Sequence, residues 1–350
     1  MKYFAGSAWI VAGCVAAVLS TAAPVGAQDF EDWQADELRT LLQAVGEARS
    51  GSRDPDTGTI EYLPSYMQGV EGVAYVPFTL LIDPSVITSK NLAAFVVVAA
   101  PTDAPVAGAE PAAAVFENGF YAEVNKLPSG QIRVTGALQS PGGEHDIFIA
   151  LRDSFDGEAP IESTINPVTG QPVRSAVVPP ITLLRERVTI PDFWTGELAI
   201  STVFLNESVE MLSAPPTPED LAKFPYTVGG ARIVPRLDDT LKKSDTLGWV
   251  FQIYNPGHKG GMPNITITYE FYEKKDGAET FFNRTAPVEL GPGPAGMLPE
   301  GFDVTQATLV DGQNIPLAGF PVGDYRLEIK VTDKEASAEL TRDLLFSVTE

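Results

Sequence analysis

The chain has 350 residues, and its 46 acidic residues outnumber its 24 lysines and arginines, which gives a formal net charge of −22 at pH 7. A surface of this sign repels nucleic acid and anionic membranes, so we expect neither as a partner. Cys14 is the only cysteine, so the chain cannot form an internal disulfide or a zinc site with several cysteine ligands. The length fits two domains of roughly 100 to 200 residues each.

Residues 1–27 have the pattern of a secretory signal peptide. Lys2 supplies a positive start, residues 4–19 are almost wholly apolar, and the small residues Gly26 and Ala27 suit a cleavage site. We therefore expect an exported protein, periplasmic or extracellular, whose mature chain contains no thiol.

An alternative interpretation concerns Cys14. Residues 11–14, VAGC, also resemble a lipobox, after which Cys14 would become the acylated N-terminus of an anchored lipoprotein. The apolar run continues beyond Cys14 to Leu19, which favours the signal peptide. After the signal, no segment approaches the roughly 18 apolar residues of a membrane-spanning helix, so none is predicted.

Residues 28–57 predict one short amphipathic helix followed by a turn. Apolar residues recur at helical spacing, acidic residues crowd the start, and Gly51 suits the C-terminal cap. The apolar positions are Leu38, Leu41, Leu42, Val45 and Ala48. We expect this apolar face to pack on a β-sandwich.

From Ile60 onward, short β-rich runs alternate with turns containing Pro, Gly, Asn and Asp, which predicts an all-β fold. We expect a first β-sandwich over residues 58–192, a linker containing a strand over residues 193–225, and a second β-sandwich over residues 226–350.

Segments of the two predicted sandwiches share one framework, which indicates a duplication. In the stretch PVGDYRLEIKVTD, apolar and charged residues alternate, which predicts a half-buried antiparallel strand. The matching pairs are PGGEHDIFIALRD (141–153) with PVGDYRLEIKVTD (321–333), FTLLIDPS (78–85) with VFQIYNPG (250–257), and NLAAFVVVAA (91–100) with NITITYEFYE (264–273). The separations within the three pairs are nearly equal, and the order of the segments along the chain is the same.

A glycine turn followed by a ring on an inward strand position resembles the tyrosine corner of immunoglobulin-like domains, where the phenol caps a backbone group. Tyr325 has this place in the second domain, and His145 has it in the first, where a ring nitrogen would form the cap. Trp249 resembles the buried tryptophan of the third strand in such domains. The resemblance implies two tandem immunoglobulin-like sandwiches in which these three residues are structural.

Residues 193–350 have a second, narrower resemblance, carried by FWTGELAISTVFL, DTLGWVFQIYNP, NITITYEFYE and IPLAGFPVGDYRLEIKVTD. These segments resemble the C-terminal β-region of a group of secreted bacterial proteins, some with a von Willebrand factor A-related domain and others with a GWxTD domain. The chain lacks the D-x-S-x-S metal-adhesion motif of the former, and GWVF at residues 248–251 departs from the latter. The resemblance implies a secreted β-sandwich module and leaves its partner open.

Few residues suggest catalysis. Of the two histidines, His258 lies in the glycine-rich turn NPGHKGG, where we expect a solvated side chain rather than a general base. The chain contains neither a G-x-S-x-G nor an H-E-x-x-H motif, so we expect neither a serine nor a zinc hydrolase. Two carboxylates at the separation that glycosidases use, about 5 or 9 Å, remain an open alternative.

The turn DPDTGTIE is the one weak candidate for a metal site. Asp54, Asp56 and Glu61 could offer oxygen ligands to calcium, but the stretch lacks the closing glutamate of an EF-hand. An ordinary Asp-Pro-Asp-Thr-Gly turn between the helix and the first strand explains the stretch well. We therefore predict no metal and no cofactor.

Two aromatic pairs are weak candidates for ligand contacts. Phe193 and Trp194 lie between the two predicted sandwiches, where we expect burial and where half-exposed rings would instead form a ligand platform. Phe281 and Phe282 follow the polar turn KKDGAET and have the same two interpretations.

These observations predict a non-catalytic interaction or assembly module of the bacterial cell envelope, with an envelope or extracellular protein as its partner. The alternative is a carbohydrate-active protein, either a glycan-binding module or a glycoside hydrolase that uses two carboxylates.

Overall fold

The computed structural model describes residues 30–103, 111–165, 169, 171–214, 216–228, 230–292, 298 and 301–350. The protein is all-β: more than half of the described residues lie in strands and 8% lie in helices. It divides into two compact units, an N-terminal unit that ends at Asp192 and a C-terminal unit that begins at Phe193. The predicted signal peptide, with Cys14, lies outside the described residues.

The described part of the N-terminal unit contains one helix and eleven strands. They are α1 (Asp32–Arg49), β1 (Ile60–Pro64), β2 (Met67–Gln68), β3 (Ala74–Ile82), β4 (Asn91–Ala99), β5 (Phe116–Glu123), β6 (Asn125–Lys126), β7 (Ile132–Ser140), β8 (Gly143–Ser154), β9 (Ile161–Ile165), β10 (Pro172–Ala176) and β11 (Thr182–Ile190). Sheet I has the order β1-β3-β7-β6, with β2 also on β3. Sheet II has the order β11-β8-β4-β5, and β9 and β10 form a separate hairpin.

Sheets I and II pack face to face. Phe78 and Leu80 of β3 in sheet I are completely buried. Phe78 and Phe120, which belongs to sheet II, both lie against Gly136 of β7, where an added Cβ would come within 2.6 Å of the Phe78 ring. Glycine is therefore required at this point for the two rings to meet in the core.

Helix α1 covers the outer face of sheet II. At its start, the backbone N–H of Glu31 donates to the Gln34 side chain at 2.9 Å, which satisfies one of the amides left over at a helix start. Because strand β4 lies between the helix and sheet I, nearly all of its residues are buried. The expected packing of the helix on a β-sandwich is confirmed. The buried helix and sheet residues that share this cluster are Leu38, Leu41, Val45, Ala48, Ala93, Phe95, Val97, Ala99, Phe148, Ala150 and Leu183.

The C-terminal unit has fourteen strands, one α-helix and a short 3₁₀ helix, Leu317–Gly319, in its described residues. They are β12 (Ala199–Ile200), β13 (Phe204–Met211), α2 (Pro218–Lys223), β14 (Thr227–Val228), β15 (Ala231–Pro235), β16 (Thr240–Lys242), β17 (Thr246–Tyr254), β18 (His258–Lys259), β19 (Met262–Pro263), β20 (Ile265–Lys275), β21 (Ala278–Arg284), β22 (Val288–Leu290), β23 (Leu309–Pro316), β24 (Gly323–Asp333) and β25 (Ala338–Thr349).

The C-terminal unit is also built from two packed sheets. Sheet III has the order β12-β17-β13-β15-β14, with β23 also on β17, and sheet IV has the order β16-β25-β24-β20-β21, with β22 also on β20. Trp249 and Phe251 of sheet III share one buried cluster with Tyr269, Phe271 and Phe346 of sheet IV. This cluster is the core of the unit.

One sheet of each unit has the strand order that the predicted duplication requires. The order β11-β8-β4-β5 in sheet II corresponds to the order β25-β24-β20-β21 in sheet IV. The predicted match of β3 with β17, however, has the wrong phase. It pairs Phe78, which faces the core, with Val250, which lies outside the core cluster between the core residues Trp249 and Phe251. Because a strand alternates with a period of two, an alignment that is off by a single position exchanges its two faces.

The segment 193–225, predicted as a linker, is part of the C-terminal unit. Strands β12 and β13 within it both pair with β17 in sheet III, so their backbone groups complete that sheet. The second unit therefore begins at Phe193 rather than at residue 226.

Candidate interaction surface

Equivalent rings occupy the start of β8 and β24. The Nε2 atom of His145 lies 3.0 Å from the carbonyl oxygen of Pro141, and the Tyr325 hydroxyl donates to the carbonyl oxygen of Pro321 at 2.9 Å. Both rings are buried. Burial, with a smaller effect of Glu273, raises the pKa of Tyr325 to about 12. Both contacts have the geometry of the backbone cap that the sequence predicts for a structural corner.

Trp249 is buried, at 1% exposure, next to an acidic group in the core. Its ring packs on Tyr269 with the centroids 5.1 Å apart, and the Tyr269 hydroxyl donates to Oδ2 of Asp311. Burial raises the pKa of Asp311 to about 6, although hydrogen bonds from Tyr269 and Gly312 act in the opposite direction. A perturbed acid in a cleft can mark an active site. Asp311 is instead enclosed by the core, so we assign it a structural role.

The candidate calcium ligands are not assembled. The Asp56 carboxylate accepts the backbone N–H of Leu183 at 2.8 Å, and the Asp56 N–H donates back to the Leu183 carbonyl at 2.8 Å. Asp56 therefore joins the turn after α1 to β11. Asp54, Asp56 and Glu61 all belong to the part of the chain that the structure describes. Within that part, no three His, Cys, Asp or Glu side chains lie close enough together to hold a metal ion.

His258 helps to shape the turn between β18 and β19. Its Nδ1 atom accepts the backbone N–H of Gly261 at 3.2 Å. Gly261 has a φ of +83°, and an added Cβ would clash with the Asp303 carboxylate. The geometry explains the glycine. His258 lies in the short strand β18 next to this turn, and its side chain is exposed, as expected.

Phe193 and Trp194 have different environments. Phe193 is 3% exposed and meets the ring of Tyr254 edge-on, with the centroids 5.1 Å apart. Asn255 anchors the segment by donating to the backbone carbonyls of Phe193 and Glu197, both at 2.9 Å. Trp194, for which burial was expected, is 39% exposed. The two rings therefore do not form one platform.

The outward side of sheet IV, called here the sheet IV face, carries a row of neighbouring side chains across four strands. Register places Phe281 of β21 opposite Tyr272 of β20, Tyr272 opposite Arg326 of β24, and Arg326 opposite Leu345 of β25. Phe281 is 53% exposed and Leu345 is 51% exposed. The row therefore offers accessible apolar groups at both ends.

Arg326 lies at the centre of the row and binds three carboxylates. Its guanidinium lies 3.0 Å from Glu279, 2.8 Å from Glu328 and 2.7 Å from Asp343. Partial burial alone would lower the pKa of Arg326, but the three carboxylates outweigh burial and raise it. Arg326 is therefore permanently charged and held in one position.

Tyr272 links this cluster to a fourth carboxylate. Its hydroxyl donates to Glu270 at 2.7 Å, and this bond is the main reason why the pKa of Tyr272 rises to about 12. The Arg326 guanidinium lies over the Tyr272 ring, 4.5 Å from its centroid. The rings of Tyr272 and Phe281 meet edge-on, with the centroids 6.0 Å apart.

The sheet IV face thus combines fixed, paired charges with two exposed apolar side chains. Sequence analysis identified the charged alternation of β24 but missed the row, because the row depends on the register of four strands. Phe281 was the only member considered as a contact residue, on the basis of its position after a turn.

No protein-family model matches the chain, and no curated protein sequence matches it significantly. A solved structure reported as a family 123 glycoside hydrolase from Clostridium perfringens, in work on glycolipid glycan hydrolysis, has 12% sequence identity and a TM-score of 0.22. The match covers 44% of this chain and only 28% of that one. In the part of the chain that the structure describes, no helix has both the length and the apolar character needed to cross a membrane.

Proposed function

We propose that the protein is an exported, non-catalytic interaction module of the bacterial cell envelope and that it binds a basic segment of a partner protein through the sheet IV face. The signal-like residues 1–27 and the resemblance of residues 193–350 to modules of secreted bacterial proteins support the location. We also interpret both units as immunoglobulin-like sandwiches, a scaffold that serves many binding functions.

The observation that carries this proposal is the row from Phe281 to Leu345. Both end residues are more than half exposed although each is large and apolar. Apolar and aromatic side chains surrounded by polar ones are typical of protein contact sites.

Charge favours a basic partner. Four carboxylates, those of Glu270, Glu279, Glu328 and Asp343, surround the row, and the cations paired with them are Arg326 and Arg284. Acidic side chains therefore outnumber basic ones around the row, as they do in the whole chain, whose net charge is −22. Electrostatic complementarity would steer a cationic segment to this face and disfavour an acidic one.

A glycan is the weaker candidate for this face. Sugars commonly stack on a free aromatic face, but Arg326 already occupies one face of the Tyr272 ring. Phe281 is the ring of the row that is more than half exposed, whereas Tyr272 is only partly exposed.

The two-carboxylate hydrolase is also less well supported. Glu328 and Asp343 do lie side by side, because both accept from Nη1 of Arg326, at 2.8 and 2.7 Å. A glycosidase requires one of its two carboxyl groups to donate a proton. Both of these groups instead accept from a cation.

The test compares wild type with Phe281→Ser/Leu345→Ser and with the matched control Val209→Ser/Met211→Ser, whose residues are also exposed and lie in the same unit. Each protein is applied to an array of short synthetic peptides that vary in net charge and apolar content, and to a glycan array. We expect wild type and control to bind peptides that are both cationic and apolar, and the Phe281/Leu345 variant to lose roughly tenfold or more in affinity.

Peptide binding that both double variants retain equally would overturn the assignment to the sheet IV face. A parallel screen with glycoside substrates tests the alternative. Turnover that disappears in Glu328→Gln or Asp343→Asn would replace the proposed function with a hydrolase.

A further inference from the structure

The connection between β8 and β11 is an exposed hairpin, called here the arm, formed by β9 and β10. All ten residues of these strands are exposed, and within the described residues the hairpin forms a two-stranded sheet of its own. Among the described strands, β9 and β10 pair only with each other, so each has one edge that no described strand covers. Its base is closed by the bond from the Val177 N–H to the Pro160 carbonyl at 2.8 Å.

The C-terminal unit has no counterpart of the arm. There the equivalent strands β24 and β25 are joined by residues 334–337 alone, whereas residues 155–181 join β8 to β11. The arm is therefore not needed to connect two strands of the shared fold.

The arm and the residue just beyond its base carry the most exposed large apolar side chains among the described residues. In the arm these are Ile165 at 67% exposure and Ile161 at 61%, and beyond the base it is Val178 at 81%. An isolated two-stranded hairpin is only marginally stable in water, and a bare edge rich in β-branched residues invites pairing with another strand.

The charge of the arm differs from that of the chain. No acidic residue occurs between Glu162 and Glu186, in a chain with 46 acidic residues and a net charge of −22. Two copies of such a protein repel one another over most of their surface. A weakly charged segment is where two copies can approach, whereas a cationic partner would be drawn to the acidic surfaces.

We propose that the arm is a dimerisation element, in which β9 pairs antiparallel with β9 of a second copy around a two-fold axis at Ser163. This register places Ile161 of each copy opposite Ile165 of the other, so two apolar cross-strand pairs form on one face. The result is a four-stranded sheet of order β10-β9-β9-β10. The contact is isologous, as expected for a two-fold dimer, and it is independent of the sheet IV face.

The free edge of β10 is less suitable. Pro172 has no backbone N–H to donate to a ladder. A two-fold axis through the middle of β10 would also place Arg174 opposite its own copy, and like charges directly opposite destabilise a strand pair.

The first test measures the oligomeric state of the full chain by sedimentation and light scattering over a wide range of protein concentration. We expect wild type to dimerise. We expect the Ile161→Ser/Ile165→Ser variant to be monomeric. We expect the same of a variant in which an Asn-Gly turn replaces residues 161–176 and connects Pro160 directly to Val177, the two residues whose hydrogen bond closes the base of the arm. The contact pairs one five-residue strand from each copy, far fewer residues than a standard interface contains, so we expect a weak dimer of about micromolar affinity.

The second test fixes the register and does not depend on deleting anything. In a chain carrying Cys14→Ser, an introduced thiol is the only one present. Ser163→Cys should give a disulfide-linked dimer on mild oxidation, because the two thiols face each other across the axis. Val173→Cys on β10 should not, because about three strand spacings would separate its two copies.

Three results would overturn the proposal. They are a wild-type chain that is monomeric at every concentration, a dimer that persists in both arm variants, and a Val173→Cys chain that cross-links more readily than the Ser163→Cys chain.

Discussion

The outer faces of sheets II and IV are built on equivalent strands and differ in what covers them. On β8 the outward positions include Phe148 and Ala150, which pack under helix α1. On β24 the corresponding positions are Glu328 and Lys330, which stay at the surface. The inward positions of both strands are buried. The inward set therefore maintains the sandwich, while the outward set determines whether a face is covered or open.

The same comparison holds for one pair of charged residues. Asp146 of β8 and Arg326 of β24 are equivalent, and each is the centre of an ion cluster. Asp146 is 1% exposed and binds Arg185 at 2.6 Å and Arg187 at 2.9 Å. The charge of the central residue is reversed between the units, so the requirement at this position is a paired charge rather than a particular sign.

The largest effect on stability should come from weakening the packing of helix α1 on sheet II. Leu41 is completely buried between α1 and sheet II, so Leu41→Ala should lower the free energy of unfolding of the N-terminal unit by about 2–5 kcal/mol. The matched change on the open face, Leu345→Ala, should cost less than about 0.5 kcal/mol. Urea unfolding followed by circular dichroism measures both. Equal losses would remove the distinction between a covered and an open face.

A second prediction distinguishes the buried acid of each unit by how its effect on stability changes with pH. Because the folded pKa of Asp311 is raised from 3.8 to about 6, its ionisation costs stability as the pH rises through this range. Asp311→Asn should therefore stabilise the C-terminal unit by up to about 3 kcal/mol at pH 8 and change little at pH 3. Thermal unfolding across pH checks this.

Asp146 in the N-terminal unit provides the control of opposite sign. Burial opposes its ionisation, but hydrogen bonds from Arg187, Thr102 and Arg185 outweigh burial and lower the pKa of Asp146. The stability it provides is present above its unfolded pKa and is lost as the pH falls, so Asp146→Asn should destabilise by about 1–3 kcal/mol at pH 7 and little in acid. The same pH trend in both variants would contradict the assignments.

The smallest effect concerns the two corners. Tyr325→Phe removes one hydrogen bond to Pro321 and should cost about 1 kcal/mol with the fold intact. His145→Phe should cost a similar amount through Pro141. Unchanged unfolding temperatures in both variants would show that the caps contribute nothing.

Local patterns predicted much of the fold. The apolar face of α1 and the corner rings His145 and Tyr325 depend on spacings within a few residues, which the sequence displays directly. The sheet IV face required the register of strands that lie far apart in the chain, such as those of Phe281 and Leu345.

Other features depend on which way a side chain points. Asp311 occupies an inward position on β23, and hydrophobic alternation alone does not predict an acid there. The phase error between β3 and β17 arose because the similar turns, Asp83-Pro84 and Asn255-Pro256, match in an alignment that exchanges the two faces of the strand.

Helix α1 is the first described element of the chain, but the sheet face that it covers includes β11, the last strand of the N-terminal unit. The buried cluster under α1 contains both Leu41 of the helix and Leu183 of β11, and most of the N-terminal unit separates these two residues in the sequence. Contacts over such separations form slowly, because a long loop must close first. We expect α1 to dock as a late step in folding, after sheet II has assembled. Until then its apolar face stays exposed, which makes it a natural binding segment for a chaperone that holds unfolded chains.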